Sequence, residues 1–134
     1  MKKEMIPYLI FAVSLMGLFL SIYLTLLPPP QFCEISSFLS CDTVLSSPYA
    51  KFLGVPTAFY GVVWFAAAAS LSMLANNSKR FEKLVLGWSV VGVAAVALLV
   101  YVELGLIGAV CILCTAAHVL TVTVAALSLY LFKA

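Results

Sequence analysis

Four long apolar runs account for nearly all of this 134-residue chain. They lie at residues 6–27, 55–75, 84–102 and 108–132. Each run is close to the length of about 20 residues that a helix needs to cross the hydrocarbon core of a bilayer. The runs do not alternate apolar and polar residues, as the strands of a membrane barrel do, and a backbone in lipid must satisfy its own hydrogen bonds. The sequence therefore predicts an all-α membrane protein, a bundle of four transmembrane helices.

Composition agrees with this prediction. Hydrophobic residues make up 65% of the chain and charged residues only 9%, which is outside the usual range of soluble domains. The first run is full length and lacks the small-residue cleavage site of a secretory signal, so we expect it to remain in the mature protein. One compact bundle of this size predicts a single membrane domain over residues 1–134.

The basic residues predict the orientation of the bundle. Six of the seven lie on one side of it, and Lys51 alone lies on the other side. The six are Lys2, Lys3, Lys79, Arg80, Lys83 and Lys133. The positive-inside rule then places both termini in the cytoplasm and the first connection, residues 28–54, on the outer face of the cell membrane. Because these basic residues are scattered and the net charge is only +2, nucleic-acid binding is not expected.

The outer loop is amphipathic. Its apolar side chains are Phe38, Leu39, Val44, Leu45, Tyr49, Phe52 and Leu53. Asp42 and Ser47 are residue types that cap helix starts, so short helices are predicted within the loop. A loop with this many apolar side chains is expected to lie on the bundle or the membrane surface as a lid.

All four cysteines fall in or near the outer half of the predicted bundle, where the compartment permits disulfides. Cys33 and Cys41 share the outer loop and are close enough in sequence to pair. Cys111 and Cys114 are spaced i, i+3 at the start of the fourth run, so both sulfurs project from one face of a helix. A Cys-x-x-Cys pair at a helix start is typical of proteins in which dithiol and disulfide interconvert.

Two inert arrangements of the cysteines compete with a redox role. An even number of cysteines also fits two structural disulfides in an outer lid. A zinc site with four thiolates fits less well, because such sites usually use Cys-x-x-Cys on both sides and here seven residues separate Cys33 from Cys41. We therefore predict no metal.

Two ionisable residues accompany the late cysteines. His118 lies one turn beyond Cys114 on the same helix face, and an ionisable side chain inside a membrane is a functional hypothesis by default. Glu103 lies near the outer end of the third run, where both a solvated interfacial carboxylate and a proton-transfer group remain open. Aromatic residues that could wall a pocket, or simply pack or form an interfacial belt, are Phe59, Tyr60, Trp64 and Tyr101.

A membrane dithiol that is used repeatedly must dispose of two electrons, and a lipid-soluble quinone is the acceptor that suits a lipid-embedded pocket. We expect electrons to reach the loop pair first and to pass to the helix pair by thiol–disulfide exchange. Two pairs in series would let a water-borne protein substrate be oxidised by a lipid-borne oxidant that never meets it.

The motifs resemble the vitamin K epoxide reductase family in its prokaryotic branch. They are the Cys33-x7-Cys41 spacing, the segment SSPYAKFLGVP at residues 46–56, and Cys111-Ile-Leu-Cys114. The resemblance covers essentially the whole chain. It implies that Cys33 exchanges with a thioredoxin-like partner, that Cys41 forms a transient bond with Cys111, and that Cys114 faces the quinone.

The resemblance also implies quinone contacts. Ser47 matches a serine of the family's loop, His118 falls where animal members commonly have a quinone-binding tyrosine, and Thr57 falls where many members have asparagine. His118 and Thr57 differ from the family's usual residues, but both side chains keep a possible hydrogen-bond donor. Independently of the resemblance, Phe59, Tyr60 and Trp64 are expected quinone contacts as the aromatic wall of the pocket.

The implied function is that of a quinone-dependent thiol oxidase supporting disulfide-bond formation. The quinone is of the menaquinone, ubiquinone or vitamin K type, and the thioredoxin-like thiol protein is expected to be separate, because the chain contains no such domain. Two alternatives stay open. One is reduction of vitamin K epoxide itself, as in the animal branch, and the other is a non-enzymatic four-helix protein with structural disulfides in its lid.

Overall fold

The computed structural model describes residues 3–26, 51–52, 55–76, 78–108 and 112–133. Within these residues the chain forms four long helices. They are α1 (Ile6–Leu26), α2 (Thr57–Ala75), α3 (Lys79–Tyr101) and α4 (Ile112–Lys133). All four are long and apolar enough to cross a membrane, which confirms the predicted all-α bundle of transmembrane helices.

Four short elements flank the long helices in the described residues. A 3-10 turn, Lys3–Met5, leads into α1. Two antiparallel strands of two residues each, β1 (Lys51–Phe52) and β2 (Val55–Pro56), precede α2 directly. A π-helical segment, Val102–Ile107, continues α3. The short helices predicted for the outer loop fall at residues outside those described.

The start of α3 differs from the prediction. The apolar run begins at Leu84, but the helix begins at Lys79, because Ser78 caps it. Ser78 has extended backbone angles, and its side-chain oxygen accepts a hydrogen bond of 3.3 Å from the backbone N–H of Arg80. The polar first turn is therefore helical although it carries no apolar pattern. The second helix begins at Thr57, and the fourth is described from Ile112 onward.

The helices form a ring in which α1 packs against α2 and α4, and α3 packs against the same two neighbours. A cluster of buried apolar side chains marks one end of the bundle. It contains Ile6, Ile10, Ala75, Val85, Val124 and Leu131. The cluster joins the starts of α1 and α3 to the ends of α2 and α4, so sequential helices run antiparallel.

The basic residues of α3 and α4 lie at this same end. Lys79, Arg80 and Lys83 begin α3, and Lys133 ends α4. At the same end, the side-chain amide of Asn76 donates a hydrogen bond of 3.1 Å to the hydroxyl of Tyr8. The other end of the bundle contains Cys114, Glu103 and His118. That the basic end faces the cytoplasm stays a prediction.

Small and hydroxyl side chains fill much of the bundle interior. Ser72, Ser89 and Ser128 are fully buried, and each donates a hydrogen bond of 2.7–2.8 Å to a carbonyl of its own helix. Two glycines admit aromatic rings: the ring of Phe65 lies against Gly17, and that of Trp64 against Gly92. Small residues let membrane helices approach closely, while large apolar side chains face the lipid.

Candidate active site

An elongated cavity of about 600 Å³ lies between α3 and α4, within the size range of small-molecule sites, about 300–1,000 Å³. Its lining residues are Val100, Glu103, Leu104, Thr115, His118, Val119, Val122, Thr123, Ala126 and Leu127. From Thr115 to Leu127 the α4 wall extends about 18 Å, taking the helical rise of 1.5 Å per residue. The cavity is therefore long enough for a planar ring with an attached chain.

The polar side chains of the cavity are concentrated at the cysteine end. Glu103, Thr115 and His118 line it there, and the walls farther along are apolar. Thr123, farther along, also has a polar side chain, but its hydroxyl is used within α4, where it donates a 2.8 Å hydrogen bond to the carbonyl of Val119. The arrangement matches the general form of cofactor sites, in which apolar walls surround a few placed polar groups.

Glu103 reaches the cavity from the π-helical segment. The segment ends at Ile107 and is capped by Gly108, which has a positive φ of 76° and whose N–H donates a 2.8 Å hydrogen bond to the carbonyl of Glu103. Glycine adopts this left-handed conformation without steric penalty. Glu103 itself is only 6% exposed, so its side chain is not the solvated interfacial carboxylate that the sequence left open. Short π-helical segments are frequent at functional sites.

Cys114 lies in the first turn of α4 and is half-buried. The sequence predicts both cysteines of the Cys-x-x-Cys pair near the start of the fourth run, and Cys114 is found in the first turn of α4. His118 is four residues later, so the two side chains are on one helix face with Cβ atoms about 5–6 Å apart. Cys33, Cys41, Cys111 and Ser47 lie outside the residues that the structure describes, and the predicted pairings stay predictions.

The predicted quinone contacts on α2 lie elsewhere than this cavity. Thr57 is the first residue of α2, and Phe59 and Tyr60 are exposed on the bundle surface. The indole N–H of Trp64 donates a 3.2 Å hydrogen bond to the carbonyl of Trp88 on α3. Tyr101, another predicted wall residue, is 63% exposed. The structure therefore brings Glu103 together with His118, but does not bring the α2 residues to the same cavity.

Several lining residues are not among those that the sequence pattern indicates. Thr115, Val119 and Val122 share the α4 face of His118, with the i, i+3, i+4, i+7 spacing of one helix face. That spacing was available in the sequence. It gave no signal, because the opposite face of α4 is also apolar and the pattern does not distinguish a cavity wall from a lipid-facing surface.

Comparison with known proteins agrees with the motifs and the fold. The sequence profile of the vitamin K epoxide reductase family matches residues 8–129, nearly the whole chain. No curated protein gives a significant match. Four membrane-spanning helices and a Cys-x-x-Cys cysteine at the start of the last one accompany that match. The chain therefore belongs to the vitamin K epoxide reductase family, and it is a multi-pass membrane oxidoreductase of the thiol–disulfide and quinone reductase type.

Proposed function

We propose that the protein is a quinone-dependent thiol oxidase that supports disulfide-bond formation. A reduced thioredoxin-like protein gives electrons to Cys33 and Cys41 by thiol–disulfide exchange, and these cysteines pass them to Cys111 and Cys114. One observation carries the proposal. The long apolar cavity begins at Thr115, directly after Cys114, and contains His118 on the same helix face.

The relay conserves electrons and protons at each exchange. Formation of one disulfide in the partner reduces one disulfide of the relay, and the two thiol protons are carried along or exchanged with water. A bound quinone supplies the final step, because it accepts two electrons and two protons. The net reaction is conversion of a dithiol and a quinone into a disulfide and a quinol.

The lining of the α3–α4 cavity fits a quinone. Val100, Val119 and Val122 supply apolar walls for the ring and its chain, and the imidazole N–H of His118 would donate a hydrogen bond to a quinone oxygen. Thr57 is the alternative donor on α2. Phe59, Tyr60, Trp64 and Ser47 remain proposed contacts of a quinone bound nearer to α2 and the outer loop.

Turnover by the purified protein tests this function. The full chain in lipid nanodiscs is mixed with a reduced thioredoxin-like protein and with menaquinone or ubiquinone, and quinone absorbance and partner thiols are followed together. One thiol pair should disappear for each quinone reduced. Cys114→Ser and Cys111→Ser should each abolish the reaction, whereas Ser70→Ala, exposed on α2 and bonded within its own helix, should not. Normal turnover in both cysteine variants would contradict the relay.

Disulfide trapping separates the relay from structural disulfides. In a variant with Cys33→Ser and Cys114→Ser, the relay predicts a bond between Cys41 and Cys111, detectable by peptide mass spectrometry. A lid closed by structural disulfides predicts no such bond. The reductase alternative is tested by replacing the quinone with vitamin K epoxide and the partner protein with a chemical dithiol as the reductant.

A further inference from the structure

Glu103 is a buried carboxylate without a neutralising group in the described part of the chain. Its side chain is 6% exposed, and among the described residues none forms an ion pair or hydrogen bond with its carboxylate. Among the described residues, the other buried carboxylate is Glu82, which is 9% exposed and does interact with another group. Burial of an unpaired carboxylate is unfavourable, so the position of Glu103 is not explained by stabilisation of the fold.

The surroundings of Glu103 indicate a use for the carboxyl group. Its side chain and that of His118 line the same end of the cavity, from two different helices. This end adjoins Thr115, the residue after Cys114. Among the described lining residues, the remaining walls are largely apolar. Glu103 and His118 are the ionisable side chains of this described lining, and they are therefore the groups suited to moving a proton to a ligand in the cavity.

We propose that Glu103 is the proton donor to the quinone, an inference that rests on the proposed function. The carboxyl O–H of Glu103 breaks as an O–H bond forms on a quinone oxygen, while the electron pair comes from the Cys111–Cys114 dithiol. As the S–S bond forms, the two thiols release two protons. One returns to the carboxylate of Glu103, and the second is exchanged with the outer aqueous side, from which the other quinone oxygen receives its proton.

Carbodiimide labelling tests the placement of Glu103 without any mutation. Dicyclohexylcarbodiimide reacts with carboxyl groups in apolar surroundings, and peptide mass spectrometry identifies the labelled residue. In the full chain in nanodiscs, menaquinone at ten times its dissociation constant should slow the labelling of Glu103 about tenfold, since occupancy of a single site follows mass action. Glu82, at the other end of the bundle, should label at the same rate with and without menaquinone.

Two outcomes of the labelling would overturn the inference. One is labelling of Glu103 at the same rate in the presence of menaquinone, because the carboxyl group would then be away from the bound ring. The other is no reaction of Glu103 with the carbodiimide under conditions in which a cavity-lining cysteine, introduced as Val122→Cys, reacts with an apolar maleimide. Neither result depends on enzyme turnover.

Kinetics of the two half-reactions test the chemical role. Glu103→Gln keeps the side-chain volume but cannot transfer a proton, so quinone reduction by the pre-reduced protein should slow by about 100-fold or more, as for loss of a general acid. Thiol exchange with the partner should keep the parent rate. Glu103→Asp should recover part of the loss, and Glu82→Gln is the matched control for removal of a buried carboxylate.

The outcomes distinguish this inference from the proposed function. Quinone reduction at the parent rate in Glu103→Gln overturns the role of Glu103 and leaves the thiol oxidase intact. A parent protein that reduces no quinone overturns the proposed function and this inference with it. If Glu103→Gln does not fold, the labelling of the parent protein decides.

Discussion

Trp64 and Trp88 each donate an indole N–H to the other's backbone carbonyl across the α2–α3 interface, at 3.2 and 3.0 Å. Their rings are stacked, with centroids 6.2 Å apart and planes inclined by 13°. The pair therefore joins two antiparallel helices by two hydrogen bonds and one ring contact. Hydrogen bonds between membrane helices contribute about 0.6–2 kcal/mol each, so the two bonds help to hold α2 and α3 together.

Trp88→Phe should lower the free energy of unfolding by about 1 kcal/mol, in the range measured for hydrogen bonds between membrane helices. Only one of the two bonds is lost, because Trp64 donates to a backbone carbonyl that remains. Unfolding in detergent with increasing denaturant measures the change. Leu84→Phe on the exposed surface of α3 is the control, and equal stabilities of the two variants would show that the indole bond contributes nothing.

Gly92→Ala should destabilise the bundle by about 1–3 kcal/mol, as expected when an atom is forced into a packed contact. An added Cβ would overlap the ring of Trp64 and lie 3.0 Å from a methyl of Thr121. Gly87→Ala on the same helix is the matched control, since its Cβ would meet no atom within 4 Å. The control should be as stable as the parent or more stable, because alanine favours helix over glycine. Equal melting temperatures for the two variants would contradict the close packing.

Ser14→Ala should stabilise the protein by about 1 kcal/mol, because it removes a buried hydroxyl that lacks a hydrogen bond. Ser14 is fully buried on α1, and its oxygen has no partner among the described residues. Ser72→Ala is the matched comparison, since the Ser72 hydroxyl donates a 2.7 Å bond to the carbonyl of Ala69. In the same detergent, the melting temperature of Ser14→Ala should be higher than that of the parent protein. The melting temperature of Ser72→Ala should equal that of the parent or be lower.

His118→Phe should raise the KM for quinone by up to about tenfold while thermal stability changes little. The substitution keeps an aromatic ring in the cavity and removes the N–H donor, and a hydrogen bond contributes about 0.5–1.5 kcal/mol. The measurement is quinone titration at saturating reduced partner. If His118→Phe keeps the kinetics of the parent protein while Thr57→Ala has impaired turnover, the hydrogen-bond donor to the quinone oxygen lies on α2 instead.

Val122→Trp should obstruct the cavity and weaken quinone binding without harming the fold. Val122 lines the cavity and is 48% exposed on the bundle surface, so a larger side chain fills the groove instead of entering a packed core. Leu129→Trp adds the same ring to an exposed site on α4 outside the cavity lining. Quinone affinity should fall only in Val122→Trp. An unchanged affinity would place the quinone elsewhere, near the predicted α2 contacts.

The sequence by itself determined the helices and one side of the site. Spans of about 20 apolar residues specify transmembrane helices locally, because the backbone in lipid must bond to itself. The i, i+4 spacing of Cys114 and His118 likewise determines that the two side chains share one face of α4, whatever the neighbouring helices do.

Only the tertiary structure decided what faces this site. Every face of each helix is largely apolar, since lipid and bundle interior accept the same side chains, so hydrophobic periodicity does not reveal how the helices are rotated. The rotation follows from close contacts such as the Trp64 ring against Gly92. These contacts place Trp64 in the α2–α3 interface instead of the cavity, and they bring the buried carboxylate of Glu103 to the cavity that contains His118.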